Sequence, residues 1–166
     1  MSDSFDLNVG STDTEFYLRF YSGGYKDNVH GHEFLEFDIR HNPGDKFATL
    51  RYANQTNYRN EELIRKEVCI SLLVLEEILC IVKESQILLE SDVFWPKAER
   101  ESKQEIEIRC GNKKKVLKTV GRLSLVSIKG MNDAESLKIF YYLVQDLKTF
   151  IFSLISLHFK VNPLFS

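Results

Sequence analysis

One stretch limits the folds open to this chain more than any other: Ile139 to Lys160, IFYYLVQDLKTFIFSLISLHFK. It has helical periodicity, but it is too apolar for an ordinary surface helix and too polar for a comfortable membrane span. At about 100° per residue, Phe140, Leu143, Val144, Leu147, Ile151, Leu154, Ile155 and His158 gather on one side, with Ile139, Phe150 and Leu157 at its margin. That side needs a sheet to face. The opposite side carries Tyr142, Gln145, Thr149, Phe152, Ser153 and Ser156, which is neither a charged solvated face nor a core face. Gln145, Asp146 and Lys148 sit mid-span, where each charge costs about 2.5–3.5 kcal/mol in a bilayer. A membrane role is therefore not expected.

The rest of the chain supplies the sheet. Glu15 to Tyr21 and His32 to Arg40 alternate apolar and polar residues, and the turn signal HNPGD at 41–45 leads into a third strand over Phe47 to Ala53. From Asn60 the period changes to a helix running to about Ser85. Asn60 stands at the cap, Glu61 and Glu62 in the first turn, and Ile64, Val68, Leu72, Leu75, Ile78, Leu79 and Val82 on one face. Pro96 ends any continuation through the loop that follows. Gln104 to Cys110 alternates as a strand, Gly111-Asn112 marks a turn, and Lys115 to Ile128 supplies one or two more strands broken at Gly121. Asn132 or Asp133 caps the last helix, which reaches about Phe159. This βββ-α-βββ-α order predicts an α+β fold, an antiparallel sheet with helices segregated on one face.

Apolar residues make up 43% of the 166-residue chain, with 12 Phe and 7 Tyr against 3 Pro, enough to bury a core without disulfides or metals. Residues 15–166 are read as a single domain behind a loose polar tail at 1–14. A formal charge of −2 gives no overall attraction for polyphosphate, so any nucleic-acid contact needs a local patch or a partner. Lys113, Lys114 and Lys115 form the best such patch. The three cysteines, Cys69, Cys80 and Cys110, show no C-x-x-C spacing and read as reduced thiols. No charged and apolar leader opens the chain, so a cytosolic or nuclear location is expected and the sequon Asn54-Gln55-Thr56 carries no weight.

The first helix repeats the oddity of the last. Opposite its core stripe lie Cys69, Ile70, Leu73 and Cys80, with Lys66, Glu77 and Glu84 among them. A contiguous semi-apolar surface of this kind is usually an interaction site, although one helix could simply cover the back of the other. Catalysis has no comparable address: no nucleophile elbow, zinc-protease, P-loop or dinucleotide motif is present, and no cofactor is implied. Glu76 and Glu77 diverge by about 100° on a helix and cannot act together. His30 and His32 have a spacing that can chelate a metal, which keeps a metal-dependent enzyme as the alternative, but no third ligand is identifiable.

Several strings in order along the chain, FYLRFY, GHEFLEF, LRYANQTNYRN, IRKE, WP followed by QEIEI, FYYLVQDLK and FSLISLHFK, strongly resemble the mago nashi family of exon junction complex core subunits, from Glu15 to Leu164. The resemblance implies a six-stranded antiparallel sheet with two long helices packed on one face. It implies an obligate heterodimer with an RNA-recognition-motif (RRM) protein, whose sheet the helices cover through Cys69, Leu73, Glu77, Cys80, Tyr142, Gln145, Thr149, Phe152, Ser153 and Ser156. It also implies contact with a DEAD-box ATPase clamped on spliced mRNA, through Lys160, Pro163 and Leu164, so that mRNA is engaged only through the complex. The implied setting is mRNA splicing, export, localisation and nonsense-mediated decay, in a nuclear protein that shuttles to the cytoplasm. The chain departs from the family in its N-terminal tail, in the more apolar Leu72, Leu73, Leu79 and Cys80, in WPKAER, and in Phe165-Ser166.

Overall fold

The computed structural model describes residues 14–25, 32–55, 63–100 and 102–159. Six strands form one antiparallel sheet: β1 (Phe16–Tyr25), β2 (His32–His41), β3 (Phe47–Gln55), β4 (Ile64–Ser71), β5 (Ser102–Cys110) and β6 (Lys113–Thr119), in the order β4-β3-β2-β1-β5-β6. Three helices accompany them, α1 (Leu72–Ser85), α2 (Leu125–Ile128) and α3 (Ala134–His158), with a 3-10 turn at Ile87–Leu89. This is the expected α+β class.

Alternation on the central strand β1 organises the two sides. Phe16, Leu18 and Phe20 are buried under the helices while Tyr17, Arg19 and Tyr21 stand on the helix-free face. Register then aligns like with like: Leu18 lies between Ile39 of β2 and Ile108 of β5, and Phe20 between Phe37 and Ile106. The Phe20 and Phe37 rings meet at 5.4 Å. Between β2 and β3, Asp45 N–H donates to Asn42 O at 3.1 Å, with Pro43 and a left-handed Gly44 (φ 84°) at the two central positions, the residue pair a type II turn requires.

Two segments take a different element type from the sequence reading. Residues 64–71 are strand β4, not the start of a helix, and α1 begins only at Leu72. Ile64, Val68 and Leu72 are four apart, but Lys66, Val68 and Ile70 also alternate, and pairing with β3 (Leu50 with Val68, Ala48 with Ile70) decides for the strand. Ser71 then caps the helix, its hydroxyl accepting from Val74 N–H at 3.2 Å. The second difference follows β6, which ends at Thr119. The segment expected to continue as strand instead turns into α2 through a reciprocal Ser124–Ser127 capping box.

Both long helices press their apolar stripes onto the same sheet face. Leu75, Ile78, Leu79 and Val82 of α1 join Leu137, Phe140, Leu143, Val144, Leu147 and Ile151 of α3 in one core. At 1.5 Å per residue α3 runs about 37 Å, longer than a ten-residue strand of about 33 Å. In its last turns Leu154 and Ile155 are half-buried, and Leu157 and His158, expected near the sheet, are exposed. Asp133 occupies the N-cap position in a left-handed conformation without a side-chain capping bond. The loop after α1 closes over the outer edge of β6, where Asp92 accepts from Lys118 N–H at 2.9 Å and Pro96 O accepts from Thr119 Oγ1 at 2.9 Å.

Candidate functional site

Side by side on the sheet, α1 and α3 leave between them an open groove of about 650 Å³. Ile81, Glu84 and Ser85 line it from α1, and Ile139, Tyr142, Leu143, Asp146, Thr149, Phe150 and Ser153 from α3. Tyr142, Asp146, Thr149 and Ser153 follow at i, i+4, i+7 and i+11, so they form one stripe along the helix. The stripe is more apolar than its composition suggests. Thr149 Oγ1 donates to Gln145 O and Ser153 Oγ donates to Thr149 O, both at 2.9 Å, so each hydroxyl is satisfied on its own helix. Outside the groove, Phe152 is 40% exposed and rests edge-on against Tyr52 of β3, centroids 6.0 Å apart. Tyr142 is 52% exposed. On α1, Leu73 (74% exposed), Glu77 and the half-buried Cys80 form a parallel stripe that Glu84 continues.

Of the residues the sequence singled out, Tyr142, Thr149 and Ser153 meet in the groove. Phe152 and Ser156 lie exposed on the outer side of α3, and Leu73, Glu77 and Cys80 on α1. Gln145 sits on the other flank of α3, in a depression of about 480 Å³ shared with Gln104, Arg122, Ser124, Tyr141 and Lys148. Burial holds the Lys148 ammonium below the ordinary lysine range, and Lys148 Nζ stands 5.6 Å over the Phe20 ring.

Cys69 does not belong to this surface. It lies on β4 between the inward Val68 and Ile70, exposed on the sheet face remote from the helices, because the segment read as helix is a strand. Lys66, grouped with the helix back in the sequence reading, also lies on β4, with its Nζ 4.5 Å over the Phe159 ring. Ile81, Ser85 and Asp146 were not singled out, although Ile81 and Ser85 follow at i, i+4 beside the Cys80 stripe. Lys160, Pro163, Leu164 and His30 lie outside the described residues, and His32 is described only as backbone of β2.

What this geometry can do is bury a broad, weakly polar surface against another protein. The groove is edged by Glu84 and Asp146, and Glu77 stands on the neighbouring stripe, which suits a partner with basic residues at its rim. Among the described residues no group of three His, Cys, Asp or Glu side chains is placed to hold a metal ion.

A sequence profile described as "Mago nashi protein" matches residues 16–164. The chain belongs to the mago nashi family. A curated relative, "Protein mago nashi homolog" of Arabidopsis thaliana, is 52% identical over 151 residues, covering 91% of this chain and 96% of the relative. The mago nashi match takes in the whole groove, both long helices and all six strands. Lys160, Pro163 and Leu164 also fall within it, whereas Phe165 and Ser166 lie beyond.

Proposed function

We propose that this chain is a non-enzymatic core subunit of an exon junction complex. It pairs with an RRM protein and stabilises a DEAD-box ATPase clamped on spliced mRNA, acting in splicing, export, localisation and nonsense-mediated decay from a nuclear location with shuttling to the cytoplasm. The observation that carries the reading is the exposed α1–α3 surface: Leu73, Tyr142 and Phe152 stand out from two helices whose opposite stripes are fully buried. Membership of the mago nashi family supports an RRM protein as the occupant of that surface, since an RRM sheet presents aromatic side chains that a semi-apolar helix pair can cover. Acidic residues along the groove suit the basic rim of such a platform.

No chemistry is required of this chain to hold the ATPase closed. Preferential binding to the closed state suffices. Lys160, Pro163 and Leu164 are proposed as the ATPase contact: Leu164 as a short apolar anchor and Lys160 for an acidic surface. Deleting Asn162 to Ser166 then leaves the heterodimer intact and restores ATP hydrolysis by the RNA-bound ATPase; equal inhibition by both forms rejects that contact.

The test of the whole reading is co-expression. Alone, the chain self-associates or precipitates; with an RRM partner it elutes as a 1:1 dimer by size exclusion with light scattering. A monodisperse monomer that binds no such partner contradicts the reading. Stoichiometric metal lost on His32→Ala would instead favour an enzyme.

A further inference from the structure

The sheet face opposite the helices holds an uneven charge distribution. Four Lys or Arg side chains stand on that face of the β5–β6 hairpin, Lys103 and Arg109 on β5 and Lys114 and Lys118 on β6, against Glu105 and Glu107, a net of +2 in a chain whose formal charge is −2; Lys113 and Lys115 pair with Cys110 and Ile108 on the helix side. Register concentrates part of that charge into a row. Arg40 pairs with Tyr17, Tyr17 with Arg109 and Arg109 with Lys114, placing the four side chains across adjacent strands β2, β1, β5 and β6. At about 4.8 Å between strands the row spans about 14 Å. Thr49 and Cys69 extend it onto β3 and β4, so no carboxylate stands anywhere in it.

The row is ordered by its own contacts. The Arg40 and Arg109 guanidinium carbons lie 5.2 and 5.1 Å from the Tyr17 ring centroid, which holds the two cations on either side of one aromatic. Glu107 in the next row meets both Arg109 (3.1 Å) and Lys114 (3.2 Å), one carboxylate between two cations. Arg109 and Lys114 each keep about half their side-chain surface in water (52% and 54%). Among the described residues no large apolar side chain is exposed on β5 or β6. A protein interface draws its affinity from buried apolar or aromatic anchors, whereas a polyanion needs only an accessible line of cations.

We propose that this strip binds the phosphate backbone of single-stranded RNA directly and without reading sequence, as the electrostatic grooves of other single-strand binders do. It goes beyond the adaptor reading, in which the ATPase alone holds RNA, and it does not depend on it, because the strip and the helix groove lie on opposite sides of the sheet.

The test is fluorescence anisotropy of a labelled 15-nucleotide oligouridine with the full-length chain, titrated from 50 to 200 mM salt. Three phosphate contacts at a slope of about 0.7 each give a log–log salt slope of about −2, or about a 16-fold loss over that range. Lys114→Gln and Arg40→Gln each reduce the magnitude of the slope by about 0.7, while Lys83→Gln on α1 leaves binding unchanged. Arg40 touches the face through the Tyr17 ring, so Arg40→Gln carries the test if Lys114→Gln fails to fold by circular dichroism. No anisotropy change at 50 mM salt, an equal loss in Lys83→Gln, or equally tight binding of labelled oligoglutamate, which would reassign the strip to an acidic protein, overturns the proposal.

Discussion

Trp95 donates its indole N–H to Ser136 Oγ at 3.0 Å, across forty-one positions of sequence and with both residues buried. The indole also packs against Phe140, centroids 5.1 Å apart. This one bond fastens the long loop after α1 to the first turn of α3, and so fixes where α3 enters the sheet beside α1. Ser136→Ala leaves the buried N–H without a partner and costs about 1–3 kcal/mol. The Trp95→Phe, Ser136→Ala double variant costs less than the sum of the singles, because the donor has gone with its acceptor. Urea titrations of the four forms read both effects; additive losses would mean the bond is not what couples loop and helix.

The start of α1 has a test of its own. Ser71 accepts from Val74 N–H as the N-cap, so Ser71→Ala loses about 1 kcal/mol in a denaturant midpoint. An unchanged midpoint would place the helix start elsewhere.

That boundary shows how legible the chain was. Most of the sheet was readable because Phe37 and Ile39, or Ile106 and Ile108, alternate with charged neighbours under turn signals such as Asn42-Pro43-Gly44. Residues 64–72 were not, because Ile64, Val68 and Leu72 satisfy a period of four while Lys66, Val68 and Ile70 satisfy a period of two. Only the neighbouring strand resolves that tie, and it is long-range information. The same tie moved Cys69 from the helix surface to the far sheet face. The α3 stripe was readable because twenty-five helical residues leave little doubt about phase, and Tyr142, Thr149 and Ser153 do share a groove. What sequence could not supply was the other wall: Ile81 and Ser85 join the site only because α1 packs beside α3.

Lys148 makes stability depend on pH. Burial lowers its folded pKa, so the unfolded chain holds the proton more tightly. Stability therefore rises with pH through the window between the lowered folded value and the ordinary lysine value of about 10.4, and below that window the penalty is constant. Lys148→Met removes the penalty and flattens the alkaline rise, with a higher Tm at pH 7. Thermal melts from pH 7 to 10.5 check this; a lower Tm in Lys148→Met across the range would show that the Phe20 contact at 5.6 Å outweighs desolvation.

The central claim is that the outward α1–α3 surface is covered by an RRM partner, and Thr149→Arg tests it most directly. Thr149 is exposed and lines the groove, and its hydroxyl bonds only its own helix, so arginine there leaves the fold intact. In the heterodimer its long charged side chain, even beside Asp146, has to be desolvated and fitted into a packed interface, at a cost of about 3 kcal/mol or more, roughly a hundredfold in affinity. Circular dichroism and partner affinity measured on the same preparation separate fold from binding. The expected result is an unchanged spectrum with a hundredfold weaker complex; a folded Thr149→Arg chain that binds the partner as tightly as the parent would contradict the account.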